Sequence, residues 1–342
     1  MIVDILKGGF QSTIQDCGRN GYRSRGVTTA GAMDQQAYKI ANVLVDNDLD
    51  APCIEMAYGG VSLLFHGTME VGVTGAANPT VNGKPVSANV TLYMIPGDLL
   101  EIKPAASGVY SYIAFSSTLL LDKVLESMST DIKTGIGGYH GRQIQQGDQL
   151  LFEEQSHSCL QQRVMPTVFE GITEKETVIR ILSGIEYDAF DSEGQGLLVS
   201  EVFEASGDCN RMAYRFKGPK INATSGYDIL SDGLTTGTIQ ITESGELIVM
   251  LADCQPTGGY TRIGNVITVD LPKLVQLQPQ TKVRFSLVSL EEAHMAMKQE
   301  NKDFQKWMKT LKPRQKIEIK NESNYNMTIN NKRYSVQIVE QQ

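Results

Sequence analysis

The side chains able to do chemistry in this sequence stand in short, polar, glycine-rich segments. Asp253-Cys254-Gln255-Pro256-Thr257-Gly258-Gly259-Tyr260 follows Glu246 to Ala252, an apolar run of strand length, so it falls at the end of a buried strand. Asp253, Gln255 and Thr257 supply acceptors and donors, while Gly258 and Gly259 permit a positive φ or close approach of a ligand. Tyr260 adds an aromatic face. The segment reads as a ligand-binding loop or as a plain β-turn. A second cluster, Asp16, Arg19 and Asp34, lies in a stretch too polar for a core strand. There Arg19 either offers its planar fork to a carboxylate or phosphate, or pins its own loop through an Arg–Asp pair. Glu55, between Ile54 and Met56, is either a buried, functional carboxylate or the outward position of an alternating strand.

Gly135-Ile136-Gly137-Gly138-Tyr139-His140-Gly141-Arg142 is the most glycine-dense stretch. Such density suits backbone N–H groups converging on an anion, with Arg142 adding charge, or a mobile linker. It lacks the Gly-Lys-Ser/Thr ending of a Walker loop, and no other nucleotide motif is present. Asp208-Cys209-Asn210-Arg211 and Thr235-Thr236-Gly237-Thr238-Ile239-Gln240 are further polar clusters in the second half. Cys254 has no histidine in its motif to activate it, and a nucleophilic role is not expected.

The elements that position these clusters are mostly strands. Val61 to Phe65, Met69 to Val73, Thr91 to Ile95, Val109 to Phe115 and Val178 to Leu182 are short β-rich runs separated by Gly, Pro and Asn turns, the pattern of sandwiches and barrels. Helical spacing appears from Gln35 to Val45 behind a capping Asp34, from Leu119 to Met128, and from Leu290 to Leu311 before Pro313. The tail alternates in two strand-like pieces around Asn330-Asn331. With 342 residues the chain is long enough for two cores, placed at 1–165 and 166–292 and followed by a helix-and-strand tail at 293–342.

With 39 acidic against 31 basic residues and no basic run, nucleic acid is not an expected partner. No membrane-length apolar stretch and no signal-peptide order appear, so a cytoplasmic location and no membrane partner are expected. Five scattered cysteines without a Cys-x-x-Cys pair argue against a disulfide framework and a zinc site.

The segments Gln11 to Tyr22, Gly26 to Asp34, Ala41-Asn42, Gly137 to Arg142, Gly147-Asp148, Gly237 to Gln240 and Thr257 to Tyr260 occur in an order that resembles the allophanate-hydrolase subunit 2 family, also described as the C subunit of ATP-dependent 5-oxoprolinase. The module is also similar to part of the carboxyltransferase domain of urea carboxylase. The resemblance runs from about Gly9 to Ala293 and implies tandem cyclophilin-like β-barrels, a mainly β fold. It implies ring opening of 5-oxo-L-proline to L-glutamate coupled to ATP hydrolysis, in a complex with 5-oxoprolinase subunits A and B, B being the closest neighbour. ATP is the expected cofactor, on a site shared with or carried by the partners, and neither metal nor biotin is expected on this chain. On these grounds Arg19, Asp34, Arg142, Arg211 and Asp253 are assigned catalytic roles. Asp16, Asn42, Glu55, Asn210, Gln240, Gln255, Thr257, Gly258, Gly259 and Tyr260 are assigned to binding of the small amide substrate.

The chain departs from the family pattern at several positions. It has Cys209 for Ser, Ala213 for Gly, Pro256 for Thr, Thr261 for Pro, Phe115-Ser116-Ser117 for Ala-Gly-Gly, and Cys254 where Arg is frequent. Two alternatives therefore stand beside the hydrolase. One is a carboxyltransferase module that moves CO₂ from a separate carboxybiotin carrier to urea or another amide. The other is a non-catalytic regulatory protein that binds a kinase inhibitor resembling the B subunit of 5-oxoprolinase.

Overall fold

The structure, a computed structural model, describes residues 1–104, 106–154, 157–158, 162–165, 176–224, 226–311, 317–318, 322–329 and 332–339. The protein is mainly β. In the first half, a six-stranded sheet takes the order Gln149–Leu151, Ile2–Gly8, Val61–Phe65, Leu99–Pro104, Ala77–Val81 and Lys84–Pro85. A five-stranded sheet takes the order Gln11–Gln15, Cys53–Ala57, Tyr110–Phe115, Met69–Gly75 and Val90–Met94. Their apolar residues, among them Ile5, Ile54, Leu63, Val71 and Ile113, meet in one core.

In the second half, seven strands close into a barrel. Closure is made by a parallel pairing of Glu176–Ser183 with Lys282–Leu287, while the remaining neighbours are antiparallel. Leu247–Met250, the apolar run before the Asp253 cluster, is a fully buried central strand of this barrel.

Helix α1 (Gln35–Leu44) begins where expected, with the Asp34 side chain accepting from Ala37 N. It lies on the five-stranded sheet, where the Thr74 hydroxyl donates to Ala37 O at 2.7 Å. Gly72 permits that approach, since a Cβ there would run into the Ala41 carbonyl. Helices α2 (Ser192–Ser200) and α3 (Leu271–Val275) flank the barrel. The long helix α4 (Leu290–Thr310) opens with a capping box formed by Ser289 and Glu292. Its Trp307 and Phe304 pack back on Ile40, Val43 and Leu44 of α1. One continuous buried cluster runs from Tyr38 and Tyr112 of the first half to Tyr214 and Val275 of the second. The two halves therefore share core as well as surface.

Two local expectations differ from the structure, and one helix lies where none is expected. Residues 119–128 form no helix: Leu119 bridges to Phe152, Val124 to Ser127, and Leu125 and Glu126 take φ of 52° and 64°. Tertiary bonds to Asp16 claim Ser127 and Met128 and override the local apolar spacing. Helix α2 carried no clear sequence signal because Gly194 and Gly196 interrupt it; Asp191 caps it by accepting from Gly194 N at 2.8 Å. Thr257–Tyr260 is a strand rather than a turn, paired with Asp228–Gly233 in a separate ribbon. In the tail, Glu322–Ile329 pairs with Lys332–Val339, and the turn expected at Asn330-Asn331 lies outside the described residues. The same holds for the boundary near 165, which adjoins the undescribed residues 166–175.

Candidate functional site at the junction of the two halves

The segment 16–34 of the first half is fixed by a network that includes six of the polar residues singled out in the sequence, Asp16, Arg19, Asp34, Glu55, Arg211 and Asp253. Arg211, carried by the barrel and 3% exposed, donates from Nε and Nη2 to the two carboxylate oxygens of Asp253, both at 2.8 Å. Nη2 also reaches Gly31 O at 2.7 Å, and Nη1 pairs with Glu55 across the junction. Glu55 in turn accepts from Met33 N at 2.7 Å and from the Tyr112 hydroxyl at 2.8 Å. Burial pushes the Glu55 carboxyl up, against the pull of Arg211. Burial also opposes the charge on Arg211, but Asp253 and Glu55 outweigh it and hold its pKa well above the ordinary value. All three guanidinium nitrogens are engaged, so Arg211 works as a clamp that joins the halves around Gly31 and Met33.

Asp34 continues the junction. One oxygen caps α1 and the other accepts from Gln276 Nε2 at 2.9 Å. Gln276 Oε1 accepts from Val109 N at 2.7 Å and Tyr110 N at 2.9 Å, so one amide at the end of α3 ties three points of the first half to the barrel.

Asp16 folds the other end of the segment. Its carboxylate accepts from Gly18 N, Met128 N and the hydroxyls of Ser127 and Ser129 at 2.5 to 2.8 Å. It makes no pair with Arg19. Arg19 is 1% exposed and donates instead to the carbonyls of Val124, at 3.1 Å, and Ser129. Its Nη1 is buried without a hydrogen-bond partner, and burial lowers its pKa. The glycine-dense stretch lies against this guanidinium: a Cβ at Gly137, where φ is +71°, would strike both Arg19 and Ser129 O. Its amides are used internally, Gly135 and Ile136 donating to Asp131 O, Gly138 to Met128 O and Gly141 to Gly137 O. Gly137 thus serves close packing against Arg19, Gly138 packs on Thr130 and Gly141 on Gly135, while Gly135 faces open space.

Other assigned residues lie apart from the clamp. Arg142 makes a two-pronged pair with Asp148, at 2.7 and 2.8 Å, on a partly exposed loop. Asn42 fixes the chain after α1 by donating to Ala51 O at 2.9 Å and accepting from Asn47 at 3.0 Å. Asn210 forms a local turn by accepting from Met212 N at 2.8 Å. The buried Gln240 donates to Tyr260 O at 3.0 Å and fastens the Thr257–Tyr260 strand to the barrel. Gln255 and Thr257 are exposed, Tyr260 is 37% exposed, and neither Gly258 nor Gly259 has a positive φ.

Sequence reasoning missed Arg23. From the first half its Nη2 donates to Leu234 O at 2.8 Å and Gln255 O at 3.1 Å in the second, and it lies 3.6 Å from Cys254 Sγ. Burial pushes the Cys254 thiol up, which disfavours the thiolate. Two of the partners of Arg23 across the junction are backbone carbonyls, which leave no sequence signature. A cavity of about 360 Å³ lies beside the clamp, walled by Ala32 and Met33 on one side, Leu251 and Ala252 on another, and roofed by α4. Among the described residues no group of three or more His, Cys, Asp or Glu side chains could hold a metal, and no helix is long and apolar enough to cross a membrane.

The family pattern described as carboxyltransferase domain, subdomain A and B, matches residues 25–287, and the chain belongs to that family. It is 33% identical to the 5-oxoprolinase C subunit of Escherichia coli (strain K12) over 305 residues, which cover 89% of this chain and 97% of that protein. It is 35% identical to the Haemophilus influenzae 5-oxoprolinase C subunit over 293 residues, covering 85% and 93%. Urea amidolyase of Saccharomyces cerevisiae is 28% identical over 310 residues, 84% of this chain but only 17% of that enzyme. The fold is shared with the crystal structure of the K. lactis urea amidolyase at a TM-score of 0.84 and 24% identity, over 90% of this chain and 20% of that one.

Proposed function

We propose that the chain acts as the C subunit of an ATP-dependent 5-oxoprolinase, opening the lactam of 5-oxo-L-proline to L-glutamate. The observation that carries this reading is the near full-length correspondence with two proteins of that name, 97% and 93% of their lengths at 33% and 35% identity. An unactivated lactam is a poor electrophile, and transfer of a phosphoryl group to its oxygen makes it a good one. That chemistry needs positioned donors for developing negative charge. Arg19, buried with one nitrogen uncommitted, acts by ordering the segment beside the site rather than by touching substrate. Arg211, Asp253, Glu55 and Asp34 act by holding the segment 16–34 in place. ATP binds on partner subunits A and B or at their boundary with this chain, with B the nearest, and the complex works in the cytoplasm. Residues 1–165, built on two sheets, and 166–292, which carry the closed barrel, act as two domains and 293–342 as an appended tail.

The test is reconstitution. The chain mixed with subunits A and B is expected to restore 5-oxoproline-dependent ATP hydrolysis that none shows alone. Full activity from the other subunits without this chain contradicts the reading. The urea amidolyase similarity favours a second reading, transfer of CO₂ from a separate carboxybiotin carrier to an amide. Under that reading, carboxybiotin is consumed by the chain plus amide without ATP.

A further inference from the structure

The cavity roofed by α4 has two features that the clamp does not explain. Lys39 of α1 and Glu300 of α4 both line it, yet among the described residues they form no ion pair within 4.0 Å. Glu300 is held in place by Gln36, whose Nε2 donates to it at 2.7 Å. Burial pushes the Glu300 carboxyl up and the nearby Lys39 charge pulls it back. A carboxylate and an ammonium that face one partly enclosed space without pairing with each other can hold a ligand carrying both a carboxylate and an N–H between them. The remaining wall includes apolar Leu271, Pro272 and Phe304 beside Thr29. A volume of about 360 Å³ lies at the small end of the range for ligand pockets.

We infer that this cavity binds a small carboxylic acid carrying an N–H beside its carboxylate, either a lactam acid or an α-amino acid. The carboxylate lies on the Lys39 ammonium, the N–H donates to the Glu300 carboxylate, and the methylenes face Leu271 and Phe304. The choice of 5-oxo-L-proline and L-glutamate as ligands rests on the proposed function; the charge pair does not. Glu300 stands outside residues 25–287, so half of the recognition comes from a helix beyond the matched family pattern. The wall at Ala32 and Met33 is the segment that Arg211 and Glu55 fix, which gives the clamp a direct bearing on the pocket.

Calorimetric titration of the full-length chain tests this with 5-oxo-L-proline, L-glutamate, 2-pyrrolidone, which lacks the carboxylate, and succinate, which lacks the N–H. At least one of the first two is expected to bind and both of the others to fail. Lys39→Met and Glu300→Gln should each weaken binding about tenfold, the loss of one charge-assisted hydrogen bond. A second readout needs no variant. Cys17 is exposed at the cavity rim, and its alkylation, followed on the Cys17 peptide by mass spectrometry, should slow when ligand is bound. Equal binding of 2-pyrrolidone or succinate, unchanged affinity in both folded variants, or no binding together with no protection of Cys17 overturns the inference. These measurements use the isolated chain, so their failure is distinct from failure of ATP hydrolysis in the reconstituted complex.

Discussion

Arg211 and Glu55 are 156 residues apart in sequence and form a buried ion pair that joins the barrel to the first half. With Asp253 on its other edge, the guanidinium is shared between two carboxylates and Gly31 O. Breaking a buried pair from one side costs about 3–5 kcal/mol, because the abandoned charge stays desolvated. Arg211→Met is therefore expected to lower the thermal midpoint by many degrees, and Glu55→Gln by less, since Asp253 still balances Arg211. Equal, small shifts in both variants would show that the clamp contributes little.

The same pair sets a pH dependence. The Glu55 carboxyl is already raised above 4.5 by burial, and removing Arg211 takes away the group that draws it down. A carboxyl whose folded pKa is raised binds more protons folded than unfolded, so stability falls as pH rises from the unfolded pKa through the folded one. In denaturant unfolding, Arg211→Met should be least destabilised relative to the parent below pH 4.5 and increasingly so as pH rises toward neutral. A flat difference between the two proteins across that window would contradict the assignment.

Gln276 is expected to matter more than its partly exposed position suggests. Gln276→Ala leaves the amides of Val109 and Tyr110 without their shared acceptor and frees one Asp34 oxygen. Each buried group so abandoned costs about 1–3 kcal/mol. Hydrogen exchange at Val109 and Tyr110 should accelerate in the variant, and unchanged exchange would place their protection elsewhere.

Glycine positions divide by what a Cβ would meet. Gly137→Ala drives a methyl into Ser129 O and Arg19 on top of a positive φ, whereas Gly135→Ala meets open space and bears only the φ cost of about 1–2 kcal/mol. In the ribbon, Gly258→Val meets Leu234 at 2.7 Å and Gln240 at 3.0 Å, while a Cβ at Gly259 finds only ordinary contacts at 3.5 and 3.6 Å. Gly137→Ala and Gly258→Val should each be less stable than their neighbours' variants, and a reversed order in either pair would refute the packing described.

Much of this was legible in the sequence, and the misses have physical causes. The strand runs, α1 behind its Asp34 cap and α4 before Pro313 follow from local periodicity and capping. The barrel's parallel closure does not, because the pairing of Glu176–Ser183 with Lys282–Leu287 spans the whole second half. Asp16, Arg19, Glu55 and Asp253 stand out as polar residues beside apolar or glycine-rich stretches, and Arg211 as part of a polar cluster. Which of them touch was hidden, since Asp16 bonds two serines rather than Arg19, and Arg211 reaches across to Glu55. Residues 119–128 read as helix because their apolar spacing is helical, but the bonds that unwind them come from Asp16, about a hundred residues away or more.

Arg19 separates a structural guanidinium from a functional one. Lysine in its place cannot reach both carbonyls or offer the unspent nitrogen. Arg19→Lys is expected to cost about 1–3 kcal/mol of stability. It should also lower 5-oxoproline turnover in the complex by more than that loss explains at a temperature where the variant stays folded. Full turnover in a folded Arg19→Lys complex would leave Arg19 a packing residue.

Whether this chain completes a 5-oxoprolinase is read from the L-glutamate released from 5-oxo-L-proline in the presence of ATP. Subunits A and B are assayed with and without the purified chain. Glutamate is expected to form only when the chain is present, saturating as the chain is titrated to a fixed ratio with B. Glutamate formed at the same rate without it, or none formed with all three proteins and ATP, would contradict the account.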